Sequence, residues 1–524
     1  MRAATESGTI RTPWAAPGYL RLGALDSMIQ RCLPKPAMLS HLASCLLATI
    51  GLAASPLVQA QAQAPEVSTV LAMSGSRNPD GVVLGPDGAL YGAAAGSSSV
   101  TGGLFYRVTT DGSSVDTLYQ FGATDGAGPA GALLFDPDDI LFYGTTQFSN
   151  GGIAVGGGTV FSIAPDGTGF TLLHEFKRST GNNVNSNPIN EEGNSPHGAL
   201  IEGSIGGGSD GFLYGVARFG GQHGTGTVFR LGKGGSDFEV LHEFDDVDSA
   251  ATAATIVNEE GAHPRAGLVQ SGEYFYGTTN TGGANGQGTI FRLLSDGSDF
   301  SVLHVFTTPT APSGSTVSVN DDGALPQAGL TDGGDGVLYG TTTIGGANGV
   351  GVLYSITPEG SFCTLHHFAA EDDGSQPMGT LLLGSDIGSD KKRLYGTTSS
   401  GGTTSSGAAS TLGTVYSFEP PTGCPLPDGA GFTKLHDFES ATGSGGSGRM
   451  VQLSPTEFIG TTNNGGRCGN GTIFRLSLTG ATITGDTSCG NSSSSGSGGG
   501  AMSWSILLML LVLLAGAAHR RTAS

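Results

Sequence analysis

Tryptophan is almost missing from this chain. Only Trp14 and Trp504 occur in 524 residues, and both lie near the ends. The long middle therefore cannot carry a WD-type repeat. It also lacks the commonest stacking surface for a sugar, leaving Tyr and Phe for that role. Positive charge is scarce as well: 23 Lys and Arg stand against 44 Asp and Glu, for a net charge of −21. No basic stripe is visible, which argues against nucleic acid as a partner, because that binding depends on cations neutralising phosphates. The six cysteines show no C-x-x-C spacing, which disfavours a zinc site. No H-E-x-x-H is present either, and His174-Glu175 and His242-Glu243 lack the second histidine one helical turn later.

What is abundant is glycine, 91 residues, with many Thr and Ser. That composition suits short strands and tight turns. Disorder is excluded by regularity, since apolar residues recur at fixed places. "YGTTNTGGANGQGTIFRLLSDGSDFSVLHVF" from Tyr276 to Phe306 returns from Tyr339 as "YGTTTIGGANGVGVLYSITPEGSFCTLHHF". Seven copies are anchored at Tyr91, Tyr143, Tyr214, Tyr276, Tyr339, Tyr395 and Ile459, at unequal intervals that place insertions in loops. Such a repeat means stacked units, none of which buries its faces alone.

Each copy reads as four strands. In the fourth copy these are Ala266–Gly272, Tyr274–Thr279, Gly288–Leu294 and Phe300–Phe306, with Asp-Gly turns such as Asp296-Gly297 between strands. Seven such units predict an all-β fold, a seven-bladed β-propeller of four-stranded antiparallel blades. The last copy has no "LHxF" strand of its own. "VSTVLAM" (Val67–Met73) resembles that strand and precedes the first copy, so an N-terminal strand is expected to complete the last blade and close the ring.

The ends carry different signals. Residues 1–64 read as leader and signal peptide, with Met28 as a possible true start, Arg31 and Lys35 before an apolar run, and small residues near Ala60. "LASC" ending at Cys45 offers lipidation as an alternative. Residues 65–482 are the propeller and 483–500 a Ser/Gly-rich linker. Residues 501–524 are a membrane or sorting segment, whose apolar stretch Ala501–Ala518 approaches the ~20 residues needed to span a bilayer. Arg520 and Arg521 beyond it would leave the rest of the chain outside the cell. The reading is an exported, monomeric protein outside the cell; the resemblances below imply a bacterial envelope, with the chain anchored there or released after processing.

Two resemblances follow. "YGTTxxGGxxGxGTxFxLxxDGxxxxxLHxF" resembles the GloVer (Gloeo/Verruco) tandem repeat of exported bacterial proteins with varied C-terminal sorting anchors, over residues 66 to 480. First-copy "YGAAAGSSS" and third-copy "YGVARFGG" depart from it. That family implies a surface location and no particular activity. The glycine tract, apolar span and basic end resemble the GlyGly-CTERM signal, which implies a rhomboid-type sorting protease as a partner.

Candidate site residues fall into three sets. His174, His242, His304, His366 and His436 recur in the fourth strand, with Tyr119 in the first copy. They are expected to be structural, bonding a repeat Thr or turn backbone, because histidines in separate blades cannot converge on one ion. Paired acids precede the first strand: Glu191/Glu192, Glu259/Glu260, Asp321/Asp322 and Asp372/Asp373, each followed by Gly and, three residues later, Pro. Antiparallel topology puts them on the face that holds the Gly-rich loop between strands two and three. They read as solvated turn acids or as binding residues there, with Ca²⁺ a possible ligand and no other cofactor expected. Cys363 and Cys424, in adjacent blades, and Cys468 and Cys489, around the last strand, are the preferred disulfides of an oxidising compartment. Gly207–Gly211 matches G-x-S-x-G, but in a strand–turn–strand setting rather than the strand-to-helix elbow.

The expected function is a non-catalytic binding module for protein or glycan, acting through the loop-rich upper face. A polysaccharide hydrolase or lyase using carboxylates at the channel mouth, and a purely structural envelope protein, are the alternatives.

Overall fold

The computed structural model describes residues 64–480 except 74–75, 80, 97–101, 123, 150–156, 184–185, 248–255, 386–391, 422 and 425–429. The leader, the linker and the C-terminal apolar stretch lie outside the described residues. Among the described residues no helix is long and apolar enough to cross a membrane.

All described secondary structure is β, in seven antiparallel blades that form a seven-bladed propeller. Blade 2 is typical, running outward from Ala127–Asp136 through Leu141–Phe148 and Thr159–Ile163 to Thr171–Glu175. A short hairpin, Gly181–Asn182 with Pro188–Ile189, is inserted before blade 3. Blade 7 takes its outer strand from the front of the chain: Glu66–Ala72 pairs antiparallel with Thr472–Ser477. The displaced strand thus closes the ring as the repeat demands.

The repeat residues explain the packing. The glycine after each blade tyrosine lets a third-strand aromatic ring lie flat on the backbone. A Cβ at Gly277 would meet Phe291 Cζ at 2.4 Å, and one at Gly340 would meet the Tyr354 hydroxyl at 2.5 Å. Neighbouring blades then share an apolar core, such as Tyr214, Val216 and Val228 of blade 3 against Phe275, Phe291 and Leu293 of blade 4. The junction of blades 7 and 1 is built alike, from Ile459 and Ile473 with Val70, Leu90 and Ala94. Closure therefore buries the two faces that an open stack would leave wet.

The first strand departs from expectation. In blade 4 it splits into Ala262–Pro264 and Val269–Ser271, with residues 265–268 outside the ladder. His263, at a φ of 58°, turns the chain before this gap, and the corresponding Ser195, Leu325 and Gln376 share that left-handed conformation. The inner strands crowd about the axis, so glycine is needed where they touch. A Cβ on Gly198 would meet Gly267 N at 2.3 Å.

Candidate functional site

The acids and the histidines, separate sets in the sequence, form one set in the structure. His174 Nε2 donates to Glu192 at 3.2 Å, His242 to Glu260 at 2.9 Å, His304 to Asp322 at 3.1 Å and His366 to Asp373 at 2.7 Å. This corrects the expectation that the histidines bond a repeat Thr or turn backbone. It also corrects the reading of every paired acid as a solvated turn residue. The second acid of each pair is largely covered and accepts a backbone N–H as well, as Asp322 does from Thr307 at 3.0 Å. A carboxylate fits here because it is acceptor-only when ionised and can take both donors with charge-assisted bonds.

Each histidine also reaches the following blade. Its ring stacks on a fourth-strand phenylalanine there: His174 on Phe238 at 3.7 Å, His242 on Phe300 at 3.6 Å, His304 on Phe362 at 3.9 Å and His366 on Phe432 at 4.0 Å. In blade 1, Tyr119 plays the part, donating to Asp125 at 2.7 Å and stacking on Phe170 at 4.9 Å. The second Thr of the repeat continues the lattice. Thr279 Oγ1 bonds Thr289 Oγ1 at 2.8 Å, and Thr289 Oγ1 donates to Glu260 O at 2.8 Å. Acid, histidine and threonine thus rivet one blade to the next.

The pattern stops at blade 7. Thr442 stands where an acid is expected, and His436 Nε2 is buried with no hydrogen-bond partner. Burial holds the His436 imidazole below its ordinary value, and burial does the same to His174 against the pull of Glu192. Burial raises Asp322, but the bonds from His304 and Thr307 outweigh it and hold the carboxyl below the usual range.

Removing Asp322 strands the His304 and Thr307 donors. Asp322→Ala is expected to cost about 1–3 kcal/mol, whereas Asp321→Ala, on an exposed side chain, should stay within about 0.5 kcal/mol. Urea midpoints of the two variants check this, and equal midpoints would contradict the riveting role.

The first acids, Glu191, Glu259, Asp321 and Asp372, are exposed on the upper face. The loop between strands two and three lies beside them: Asn258 Oδ1 accepts from Gly283 N of that loop and from Gly261 N, both at 2.9 Å. Among the described residues, no group of three or more His, Cys, Asp or Glu could hold a metal ion. Cys363 and Cys424 are joined as a disulfide with Cα atoms 6.2 Å apart, tying blade 5 to blade 6. Cys468 is also disulfide-bonded, and Cys489 lies outside the described residues. The G-x-S-x-G segment runs from a plain hairpin turn into the strand Gly208–Phe219, where the Ser209 hydroxyl donates to Glu202.

A central channel of about 1020 Å³ is lined by all seven blades. Its polar lining includes His197, Glu202, Arg265, Gln327 and Arg449. Sequence reasoning missed these residues, because each occurs in one blade only and so leaves no mark in the repeat. Arg218, beside the channel between blades 3 and 4, falls within the third-copy departure "YGVARFGG", the one visible signal.

The fold and this lattice define a repeat-built, seven-bladed β-propeller. The chain belongs to the Gloeobacter/Verrucomicrobia repeat family, whose pattern matches residues 58–259 and 190–408. No curated protein matches it in sequence. Among solved structures it is similar to a streptogramin B lyase, with a TM-score of 0.45 and 11% identity over 79% of this chain and 97% of that one. It is also similar to an oligogalacturonate lyase in complex with manganese, with a TM-score of 0.42 and 12% identity over 79% and 97%. A third similar structure is the GH74 enzyme of Niastella koreensis, with a TM-score of 0.46 and 15% identity over 79% of this chain and 54% of that enzyme.

Proposed function

We propose that the protein is an exported, surface-displayed propeller that acts as a non-catalytic binding module for a protein or glycan through its upper face. One observation carries the reading: the second carboxylate of each pair is already held by a histidine and a backbone amide. The exposed first acids Glu259, Asp321 and Asp372 remain, as near-equivalent single groups around the face, while Glu191 pairs with Lys177 Nζ at 3.0 Å. Acid–base chemistry on a polysaccharide needs two particular carboxylates at a set separation, whereas multipoint binding tolerates near-equivalence. Export and display rest on the leader and tail sequences.

The test applies the full chain to arrayed bacterial and plant polysaccharides, first with Ca²⁺ and then with chelator. Binding to a subset without release of reducing ends is expected. Loss of binding in chelator would give the exposed acids a cation-mediated role. Release of reducing ends, or of unsaturated sugar ends, would overturn the non-catalytic reading.

A further inference from the structure

Three charged side chains that the repeat does not call for meet at the lower rim of blades 2 and 3. Asp136 ends the first strand of blade 2, Glu202 lies on the first strand of blade 3, and Lys233 follows that blade's third strand, Thr227–Gly232. In blade 4, Ser271 stands at the place of Asp136 and Ser295 at the place of Lys233. Lys233 Nζ contacts Asp136 Oδ2 and lies 3.0 Å from Asp139 and 3.1 Å from Glu202. The Asp136 side chain is 1% exposed and that of Lys233 16%. The phenol of Tyr143, part of the apolar core of blades 2 and 3, lies within range of all four charges.

The two oxygens of Asp136 are not alike. Oδ1 accepts the backbone N–H of Asp138 at 2.8 Å and that of Asp139 at 3.3 Å. Oδ2 is buried and makes no hydrogen bond, so the amine of Lys233 touches it without the alignment of one. A settled salt bridge would aim an N–H at that oxygen. The arrangement instead brings a nucleophile, a carboxyl group with one oxygen held by two donors, and a second carboxylate into one covered site.

We propose that Asp136 and Lys233 condense into an isopeptide bond that joins blade 2 to blade 3, with Glu202 as the catalytic residue. Lys233 first passes a proton to Asp136 Oδ2, which leaves a neutral amine beside a carboxylic acid. The Nζ lone pair then attacks Cγ, and charge collects on Oδ1, where two backbone N–H groups already point. Glu202 takes a second proton from the nitrogen and hands it to Oδ2, whose bond to Cγ breaks. Oδ2 leaves as water with both protons, and the amide keeps Oδ1 as its carbonyl oxygen. No oxidant or reductant is consumed. Burial lowers Lys233, but Asp136, Asp139 and Glu202 outweigh it and hold the ammonium above its usual range. Burial raises Asp136, but Lys233 and the two amides hold the carboxyl below its own. The ion pair is therefore the resting state, and the bond forms slowly, from the minor neutral pair, after the ring has folded. It would give blades 2 and 3 a covalent link that a reductant leaves intact, unlike the Cys363–Cys424 disulfide between blades 5 and 6.

The test is mass spectrometry of the full chain, purified, aged, reduced and digested with trypsin. A branched peptide that carries both Asp136 and Lys233, lighter by one water than its two arms, is expected to grow with age, with no cleavage after Lys233. Lys233→Arg keeps the charge and should yield none of it. Glu202→Gln should slow its growth at least about tenfold, with part of the rate recovered in Glu202→Asp. Thermal melts matching the fresh parent would show that the variant rings are intact. An aged parent that yields only the two linear peptides would overturn the bond and leave an ion pair. A branch from Lys233 to Asp139 or Glu202 would overturn the choice of Asp136, and equal growth in Glu202→Gln would overturn the role of Glu202.

Discussion

Deleting Glu66–Ala72 is expected to abolish the cooperative fold. This strand covers the outer edge of blade 7, with Glu66 opposite Ser477 and Ala72 opposite Thr472. Its side chains enter two junctions at once. Val67 packs with Phe438, Phe458 and Leu476, while Val70 and Leu71 pack with Ile459, Ile473 and Leu90. Burying a large aliphatic side chain contributes about 1.5–3 kcal/mol, so these three alone account for roughly 5–9 kcal/mol, comparable with the about 5–15 kcal/mol that holds a typical domain together. The deletion also bares the edge of Thr472–Ser477, an invitation to pair with other chains. Urea melts and gel filtration of the truncated protein should show a non-cooperative transition and aggregates, and adding the peptide Pro65–Met73 should restore part of the transition. A truncated ring that melts cooperatively near the parent midpoint would refute closure by this strand.

The second large effect is on acid stability. His197 and His263 both lie beside Arg218 and Arg265. Burial first, and then the two arginines, lower each imidazole from 6.5 to about 4. His263 is held neutral by Asn187, which donates to Nε2, and by Thr281, which accepts from Nδ1, each at 3.0 Å. The unfolded chain takes up these two protons as pH falls through 6.5, whereas the folded ring refuses them until about 4. Their contribution is therefore present in full above 6.5 and is lost between 6.5 and 4. The loss is about 2 kcal/mol for each histidine by pH 5 and about 3 kcal/mol by pH 4. Denaturant midpoints measured from pH 7 to pH 4 should fall accordingly, and the fall should flatten in the double variant His197→Gln/His263→Gln. A midpoint unchanged between pH 7 and pH 5 would show that the two imidazoles are open to water.

The fold was legible because packing repeats. The tyrosine–glycine step, the Asp-Gly turns and the orphan "VSTVLAM" gave blade number, strand order and closure before any coordinates. The split of the inner strand was not legible, since it comes from crowding about the axis, a property of the closed ring rather than of any local run. The acid–histidine bonds were half legible. Both partners repeat in the sequence, but only three-dimensional adjacency shows that Glu260 and His242 meet. Arg265 and Arg449 were illegible for the opposite reason, each appearing once in a pattern read by recurrence.

The clasp at blade 7 also orders events in time. Glu66–Ala72 leaves the ribosome among the first segments of the ring, yet its partner Thr472–Ser477 is among the last. The ring cannot lock during synthesis, so the nascent protein stays an open arc with one unfinished end. Its final fastening therefore waits until the whole propeller has been synthesised, whatever the order in which the inner blades fold.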